Sequence, residues 1–116
     1  MRIHVFARNV TLSPSVSEFI ERRLAFALGR FTSRVMAVVV RLHDFNGPRG
    51  GIDQECRIEA SMVPSARKTA HGKGSSVEAA ICQAVERIAR AVRRDLARRR
   101  TLRIRPVRRA GQPVLA

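Results

Sequence analysis

A stripe of aliphatic residues in the second half of the chain constrains the fold most. Its members recur at spacings close to about 100° per residue, so they lie on one face of a helix: Val77, Ile81, Ala84, Val85, Ile88 and Val92. Ser75 and Glu78 have the capping-box spacing, which predicts that the helix begins there. A stripe of this width must be covered by other apolar surface, and we therefore predict that the helix docks on a sheet.

Four segments have the pattern of β-strands. Residues 2–8 alternate between apolar and polar side chains, and residues 35–45 are rich in valine. Residues 52–62 alternate again, and residues 67–73 can form a short edge strand. The sequence NGPRGG between the second and third segments is typical of a hairpin loop.

A further helix is predicted between the first two strands. Ser13 can serve as its N-cap, and Pro14 occupies the first helical position. Apolar residues then recur at helical spacing over about five turns, at Val16, Ile20, Leu24, Ala27 and Phe31. The predicted order is β-α-β-β-β-α, an α+β two-layer domain with a four-stranded sheet, two helices packed on one face and the other face in water.

The chain is long enough for one folded domain. At 116 residues it can bury one hydrophobic core. The segment after Arg100 has two prolines, a glycine and no hydrophobic periodicity. We therefore predict a domain over residues 1–100 and a disordered basic tail over residues 101–116.

The cysteines and histidines do not form a recognisable site in the sequence. Cys56 and Cys82 are 26 positions apart without a CxxC pair, and the three histidines are isolated. This argues against zinc and against a disulfide framework, and we expect no metal and no cofactor. The N-terminus alternates instead of forming an apolar leader, and no apolar run could span a bilayer, so a cytoplasmic protein is predicted.

Charge points to a polyanionic partner. The formal net charge is +14, and residues 85–116 hold 11 arginines against two acids, a net +9. On the second helix, four arginines at spacings of three, four and four form a row about 16 Å long: Arg87, Arg90, Arg94 and Arg98. Guanidinium groups bind phosphate oxygens bidentately, so the row matches an RNA strand, although a solvated helix face is the alternative.

Two further features favour a nucleic-acid surface. Asp95 and Arg99 fall on the line of the apolar stripe, which predicts that packing ends near Val92 and that the last turns overhang the domain. On the first helix, rings and guanidinium groups alternate along one edge and could stack on unpaired bases: Phe19, Arg23, Phe26 and Arg30, with Arg22 beside them. The alternative is that the phenylalanines belong to the core, and this alternative is stronger for Phe19.

Catalytic and membrane-binding alternatives have less support. HGKGSS lacks the glycine spacing of a P-loop. His4 and His43 could share the open sheet face as an acid/base pair of a small ribonuclease, but isolated strand histidines are more often surface residues. A helix lying on an anionic membrane is disfavoured, because the apolar side of the second helix is needed by the sheet and has no Trp or Phe anchor. We therefore expect no enzymatic activity, no small-molecule substrate and no membrane partner.

Three segments together resemble the ribosome hibernation family, which includes hibernation promoting factor and ribosome-associated inhibitor A. They are RNVTLSPSVSEFIERRLAFALGRF, GGIDQECRIEA and HGKGSSVEAAICQAVERIARAVRR, and the similarity covers about residues 1–100. The resemblance implies a β-α-β-β-β-α domain in the channel of the small ribosomal subunit that holds mRNA and the A- and P-site tRNAs. It also implies a short form of the family, because the 16 residues of tail cannot supply the dimerisation domain of the long form.

The resemblance also implies which residues contact rRNA. Basic residues on the two helices of the family match Arg22, Arg23, Arg87, Arg90 and Arg94. Phe26 stands where Lys or Arg is common in the family, and Val77 stands where an aromatic residue is usual. With the residues predicted from spacing, the expected RNA-binding set is Arg22, Arg23, Arg30, Arg87, Arg90, Arg94 and Arg98.

The predicted function is that of a non-enzymatic factor that binds small-subunit rRNA in the decoding region, blocks mRNA and tRNA and inhibits translation in idle or stressed cells. Away from the ribosome it is expected to be a monomer. The alternative in the same chemical class is a general double-stranded RNA-binding protein or RNA chaperone.

Overall fold

The computed structural model describes residues 1–45, 53–64 and 66–110, with side chains through Arg99. Its elements, in chain order, are β1 (Arg2–Arg8), α1 (Pro14–Leu28), β2 (Val35–Asp44), β3 (Gln54–Met62), β4 (Ala66–Gly74) and α2 (Val77–Ala110). The predicted order β-α-β-β-β-α is confirmed. The predicted NGPRGG loop lies outside the described residues.

The four strands form one mixed sheet in the order β1-β2-β3-β4. β1 is parallel to β2, and α1 makes the crossover between them, while the other two pairs are antiparallel. A parallel pair needs a long crossover connection, and α1 supplies it between β1 and β2.

The core lies between one face of the sheet and the two helices. Alternate residues of β2 and β3 are buried there, and for β3 this confirms the predicted alternation. The largest fully buried side chains come from both layers: Ile20, Leu24, Leu28, Ile58, Ile81 and Ile88, with several valines. The predicted α+β fold with both helices on one face is therefore confirmed.

The start of α1 follows the predicted capping chemistry. The Ser13 hydroxyl accepts a hydrogen bond from the backbone N–H of Val16 at 3.2 Å, and Pro14 opens the helix. After Leu28 the chain tightens into one 3₁₀ turn over Gly29–Phe31. Together these segments span the predicted five turns.

The start of α2 differs from the prediction by one residue. The hydroxyl of Ser76, not Ser75, accepts the N–H of Ala79 at 3.1 Å. Since the third helical position after Ser76 is Ala79, Glu78 cannot complete the reciprocal capping box. The two adjacent serines made both caps compatible with the sequence, and the structure uses Ser76.

The other end of α2 also differs from the prediction. The helix continues to Ala110, past the predicted boundary at Arg100, and it includes Pro106, a residue that disfavours a helix interior because it has no backbone N–H. Residues 111–116 lie outside the described residues. The division of the chain at residue 100 remains a prediction.

Packing of α2 against the domain was predicted to end near Val92, and this prediction is wrong because packing continues beyond that residue. Asp95 is buried and pairs with Lys68 of β4, while Leu96 packs against the core. One turn later, an Arg99 Nη1 N–H donates to the carbonyl oxygen of Val63 at 3.4 Å. Asp95 and Arg99, which lie in line with the apolar stripe, therefore hold α2 against the rest of the domain through polar contacts. Any overhang of the helix begins after Arg99.

At Gly72, β4 approaches α2 closely. A Cβ atom at this position would lie 2.3 Å from the carbonyl oxygen of Ala80 and 2.5 Å from the backbone nitrogen of Ala84. These atoms belong to the helix backbone and cannot rotate away. Gly72, the first of the two glycines in HGKGSS, therefore has a packing role, which agrees with the rejection of a P-loop.

We expect Gly72→Ala to lower the free energy of unfolding by about 1–3 kcal/mol, because the added methyl group must displace α2 from the sheet. Gly29→Ala is the matched control, since nothing lies within 4 Å of a Cβ there and the backbone is already helical. Urea unfolding followed by circular dichroism measures both. Equal stability of the two variants would show that α2 and β4 separate without cost.

Candidate nucleic-acid interface

A groove runs between α1 and α2 on the outer side of the helical layer. Both helices dock on the same sheet face, which leaves a channel between their solvent-facing flanks. Its first part has a volume of about 710 Å³ and is lined by Arg23, Phe26, Ala27, Arg30, Val85, Glu86, Ala89, Arg90 and Arg93. A second part of about 580 Å³ is lined by Arg30, Phe31, Arg34, Arg93, Leu96, Ala97 and Arg99. We call the two parts the helix groove.

The helix groove is strongly electropositive. Six of its lining residues are arginines, and Glu86 is the one acid among the described residues that line it. Cations gathered along a concave surface raise the local positive potential and attract anions. The arrangement is suited to binding a chain of phosphates.

The groove contains an unsatisfied donor. Arg23 Nε is buried and has no hydrogen-bond partner among the described residues. A buried N–H without an acceptor costs about 1–3 kcal/mol, so an anionic oxygen near Arg23 would stabilise this wall of the groove. An anionic ligand would therefore complete the site.

The structure divides the seven residues predicted to bind RNA. Arg23, Arg30 and Arg90 line the helix groove. The other four are exposed but do not line it: Arg22, Arg87, Arg94 and Arg98.

Two members of the predicted row are held by intramolecular bonds. Arg87 Nη1 donates to the carbonyl oxygen of His71 at 2.8 Å, at the sheet edge. Arg98 Nη2 donates to Asp95 Oδ1 at 3.1 Å. These contacts hold the two guanidinium groups on the β4 side of α2, away from α1.

Arg34, Arg93 and Arg99 line the groove and were not in the predicted set. Arg93 follows Arg90 by three positions, so it lies on the flank of α2 that faces α1. Helical spacing alone could have paired Arg90 with Arg93. Only the position of α1 shows that this flank of α2 lines the groove. Arg34 follows the 3₁₀ turn, where no periodic pattern applies.

The two phenylalanines of α1 have different environments. Phe19 is partly buried against the core, in agreement with the alternative that the sequence favoured for it. Phe26 is 88% exposed and lines the helix groove between Arg23 and Arg30. A ring so exposed contributes little to folding and can stack on an unpaired base.

His4 and His43 lie too far apart to act as an acid/base pair on one phosphate. In the register of β1 and β2, His4 lies beside Val39 and His43 beside Arg8, so the histidines are offset by about 13 Å along the strands. That separation is too large for both to contact one phosphate. Burial, with a smaller effect of the Glu55 charge, raises the pKa of the Cys56 thiol to about 12, which keeps it protonated.

Within the described part of the chain, no three His, Cys, Asp or Glu side chains are grouped so that they could hold a metal ion. Neither described helix combines the length and apolar character needed to cross a membrane.

The mixed sheet and the arginine-lined groove define a class of small, basic α+β domains. Residues 3–100 match the family described as Sigma 54 modulation protein / S30EA ribosomal protein. The chain belongs to this family, in agreement with its resemblance to ribosome hibernation factors. No curated protein sequence matches the chain significantly.

Solved structures of other proteins share the fold. The Protein Y N-terminal domain of Thermus thermophilus is 21% identical with a TM-score of 0.68, and the alignment covers 81% of this chain and 98% of that domain. A ribosomal subunit interface protein from Coxiella burnetii is 13% identical with a TM-score of 0.68, covering 84% and 99% of the two chains.

Proposed function

We propose that the protein is a non-enzymatic factor that binds the small ribosomal subunit in the cytoplasm and inhibits translation there. It acts by occupying the decoding region, so that mRNA and tRNA cannot enter, and it is a monomer away from the ribosome. The observation that carries the proposal is the helix groove, where both helices contribute arginines to one concave surface.

Family membership supports the choice of partner. The family description names a ribosomal protein, and one structure with the same fold is called a ribosomal subunit interface protein. The resemblance of the sequence to hibernation factors implies the mRNA and tRNA channel as the binding place. A groove lined by arginines from two helices fits rRNA, whose phosphates are fixed in space on the ribosome.

Guanidinium groups would bind rRNA phosphates in the groove, and Phe26 would contact a base. Arg23, Arg90 and Arg93 supply fixed positive charge on facing walls. Bound protein would then exclude the tRNA anticodon and the mRNA by occupying their space. This mechanism needs no covalent step, which agrees with the separation of His4 from His43.

Cosedimentation tests the choice of partner. We expect the protein to pellet with small subunits, and to bind large subunits and naked duplex RNA at least about tenfold more weakly, since rRNA contacts on a shaped surface add to general phosphate binding. Initiator tRNA and mRNA should compete with it. Equal affinity for duplex RNA and for small subunits would instead identify a general double-stranded RNA-binding protein or RNA chaperone.

A further inference from the structure

The face of the sheet opposite the helices carries two exposed aromatic rings. Phe6 of β1 is 53% exposed, and Phe45, which follows β2, is 56% exposed. The His43 ring lies against Phe45 with 4.0 Å between centroids, and the Arg41 guanidinium lies 5.2 Å from the Phe6 centroid. The rings and cations thus interleave on a surface that no described element covers.

One pair of charges on this face is placed unfavourably. Arg41 and Arg57 are directly opposite each other in the β2–β3 register, and like charges at such positions are destabilising. Glu55 lines the same depression, but within the described residues it forms no ion pair with either arginine. A polyanion bound to this face would relieve the repulsion.

The rings and cations surround one shallow depression of about 350 Å³. The surface, which we call the sheet patch, consists of Phe6, Arg8, Arg41, His43, Phe45 and Arg57. It lies on the opposite side of the two-layer domain from the helix groove. Both surfaces can therefore be occupied at the same time.

We propose that the sheet patch is a second RNA-binding surface, which binds unpaired nucleotides by stacking bases on Phe6 and Phe45 while the arginines contact phosphates. The proposal rests on the proposed function in taking RNA as the polyanion. A duplex does not fit this chemistry, because its base faces are already stacked inside the helix. A second copy of the chain does not fit either, since each copy has a net charge of +14.

The test measures binding of a labelled oligouridylate of about ten nucleotides, a length within the range of known single-strand sites. Its background is the full chain with Arg23→Gln, Arg90→Gln and Arg93→Gln, so that the helix groove contributes little. In that background, Phe6→Leu with Phe45→Leu should lower affinity for the single strand about tenfold, because leucine keeps apolar area but cannot stack. Affinity for a duplex of equal length should change less than about twofold.

Charge variants on the same face provide the matched control. Arg41→Gln with Arg57→Gln should weaken single-strand binding at least about fivefold more than Arg2→Gln with Arg67→Gln. The second pair removes the same charge from a row of the sheet that holds Ala37 and Ser61 instead of rings. The melting temperature of the variant with Phe6→Leu and Phe45→Leu should stay close to that of the parent, because both phenylalanine rings are more than half exposed.

Three outcomes would overturn the proposal. One is that the background variant no longer binds the single strand. Another is that the leucine substitutions leave binding unchanged, and the third is that they weaken binding of polyglutamate equally, which would indicate an acidic protein segment. Small-subunit binding by the wild type is a separate readout, so its loss would refute the proposed function without refuting the sheet patch.

Discussion

Replacing Arg23, Arg90 and Arg93 together by glutamine is expected to lower affinity for the small ribosomal subunit by at least about 100-fold. Each arginine lines the helix groove, and each hydrogen bond from a charged group contributes about 1.5 kcal/mol or more. Loss of three phosphate contacts should also reduce the slope of log affinity against log salt by about 2 to 3. Glutamine preserves helix propensity, so the change can be assigned to charge.

Two variants of equal charge make this result specific to the groove. Arg2, Arg67 and Lys73 are exposed residues of the sheet, and their replacement by glutamine should lower affinity far less. Replacement of Arg87, Arg94 and Arg98 removes the same charge from the row predicted on α2. Titration of each variant with small subunits at several salt concentrations distinguishes the groove, sheet and row variants. If the row variant lost more affinity than the groove variant, the interface would lie on the β4 side of α2, away from α1.

Local patterns in the sequence predict the elements well. β1 occupies the predicted residues, Arg2–Arg8, because alternation with period two reports directly on a sheet with one covered face. Ser13 caps α1 as predicted, since the interaction involves only residues three positions apart. In both cases the element is determined by residues that are near each other in the sequence or that recur with the period of the element.

The composition of the groove could not be predicted in the same way. Arg90 and Arg87 are equivalent in a spacing argument, yet Arg90 lines the groove and Arg87 bonds to His71 on β4. The difference depends on which side of α2 faces α1 and which faces the sheet edge. That relation is set by tertiary packing, and no short-range pattern in the sequence contains it.

Asp95 shows a related failure, because a charge on an apolar stripe suggests the end of packing. Its partner Lys68 is 27 positions earlier in the chain and projects from the helix-facing side of β4. Spacing within α2 reveals Arg98 and Arg99 as neighbours but not Lys68. A buried acid was therefore mistaken for an exposed one.

The Asp95 carboxylate is surrounded by three cations. Lys68 Nζ lies 3.3 Å from Oδ1, Arg98 Nη2 lies 3.1 Å from Oδ1, and Arg99 Nε lies 2.8 Å from Oδ2. Burial raises the pKa of this carboxyl, but the hydrogen bond from Lys68 and the charges of Arg99, Lys68 and Arg98 outweigh burial and hold the pKa below its ordinary value. The cluster joins α2 to β4 beyond the end of the apolar stripe.

Asp95→Asn is expected to lower the free energy of unfolding by about 2 kcal/mol, which corresponds to a fall in melting temperature of about 10 °C. The substitution leaves Lys68 and Arg99 without their anion while keeping the size of the side chain. Both cations are about a quarter exposed, so water screens them and the loss stays below that of a fully buried pair. Arg98→Gln is the control and should cost less than about 0.5 kcal/mol, because Arg98 is 65% exposed.

Acid should remove the difference between the wild type and Asp95→Asn. A carboxyl with a lowered pKa in the folded state stabilises the protein above the unfolded pKa of about 3.9, and this contribution is lost as pH falls through the folded value. The gap in melting temperature should therefore be constant between about pH 5 and 7 and should shrink below about pH 4. A gap that persisted undiminished at the acid end would mean that the asparagine acts by disturbing packing, and that the ion pairs do not hold α2 to β4.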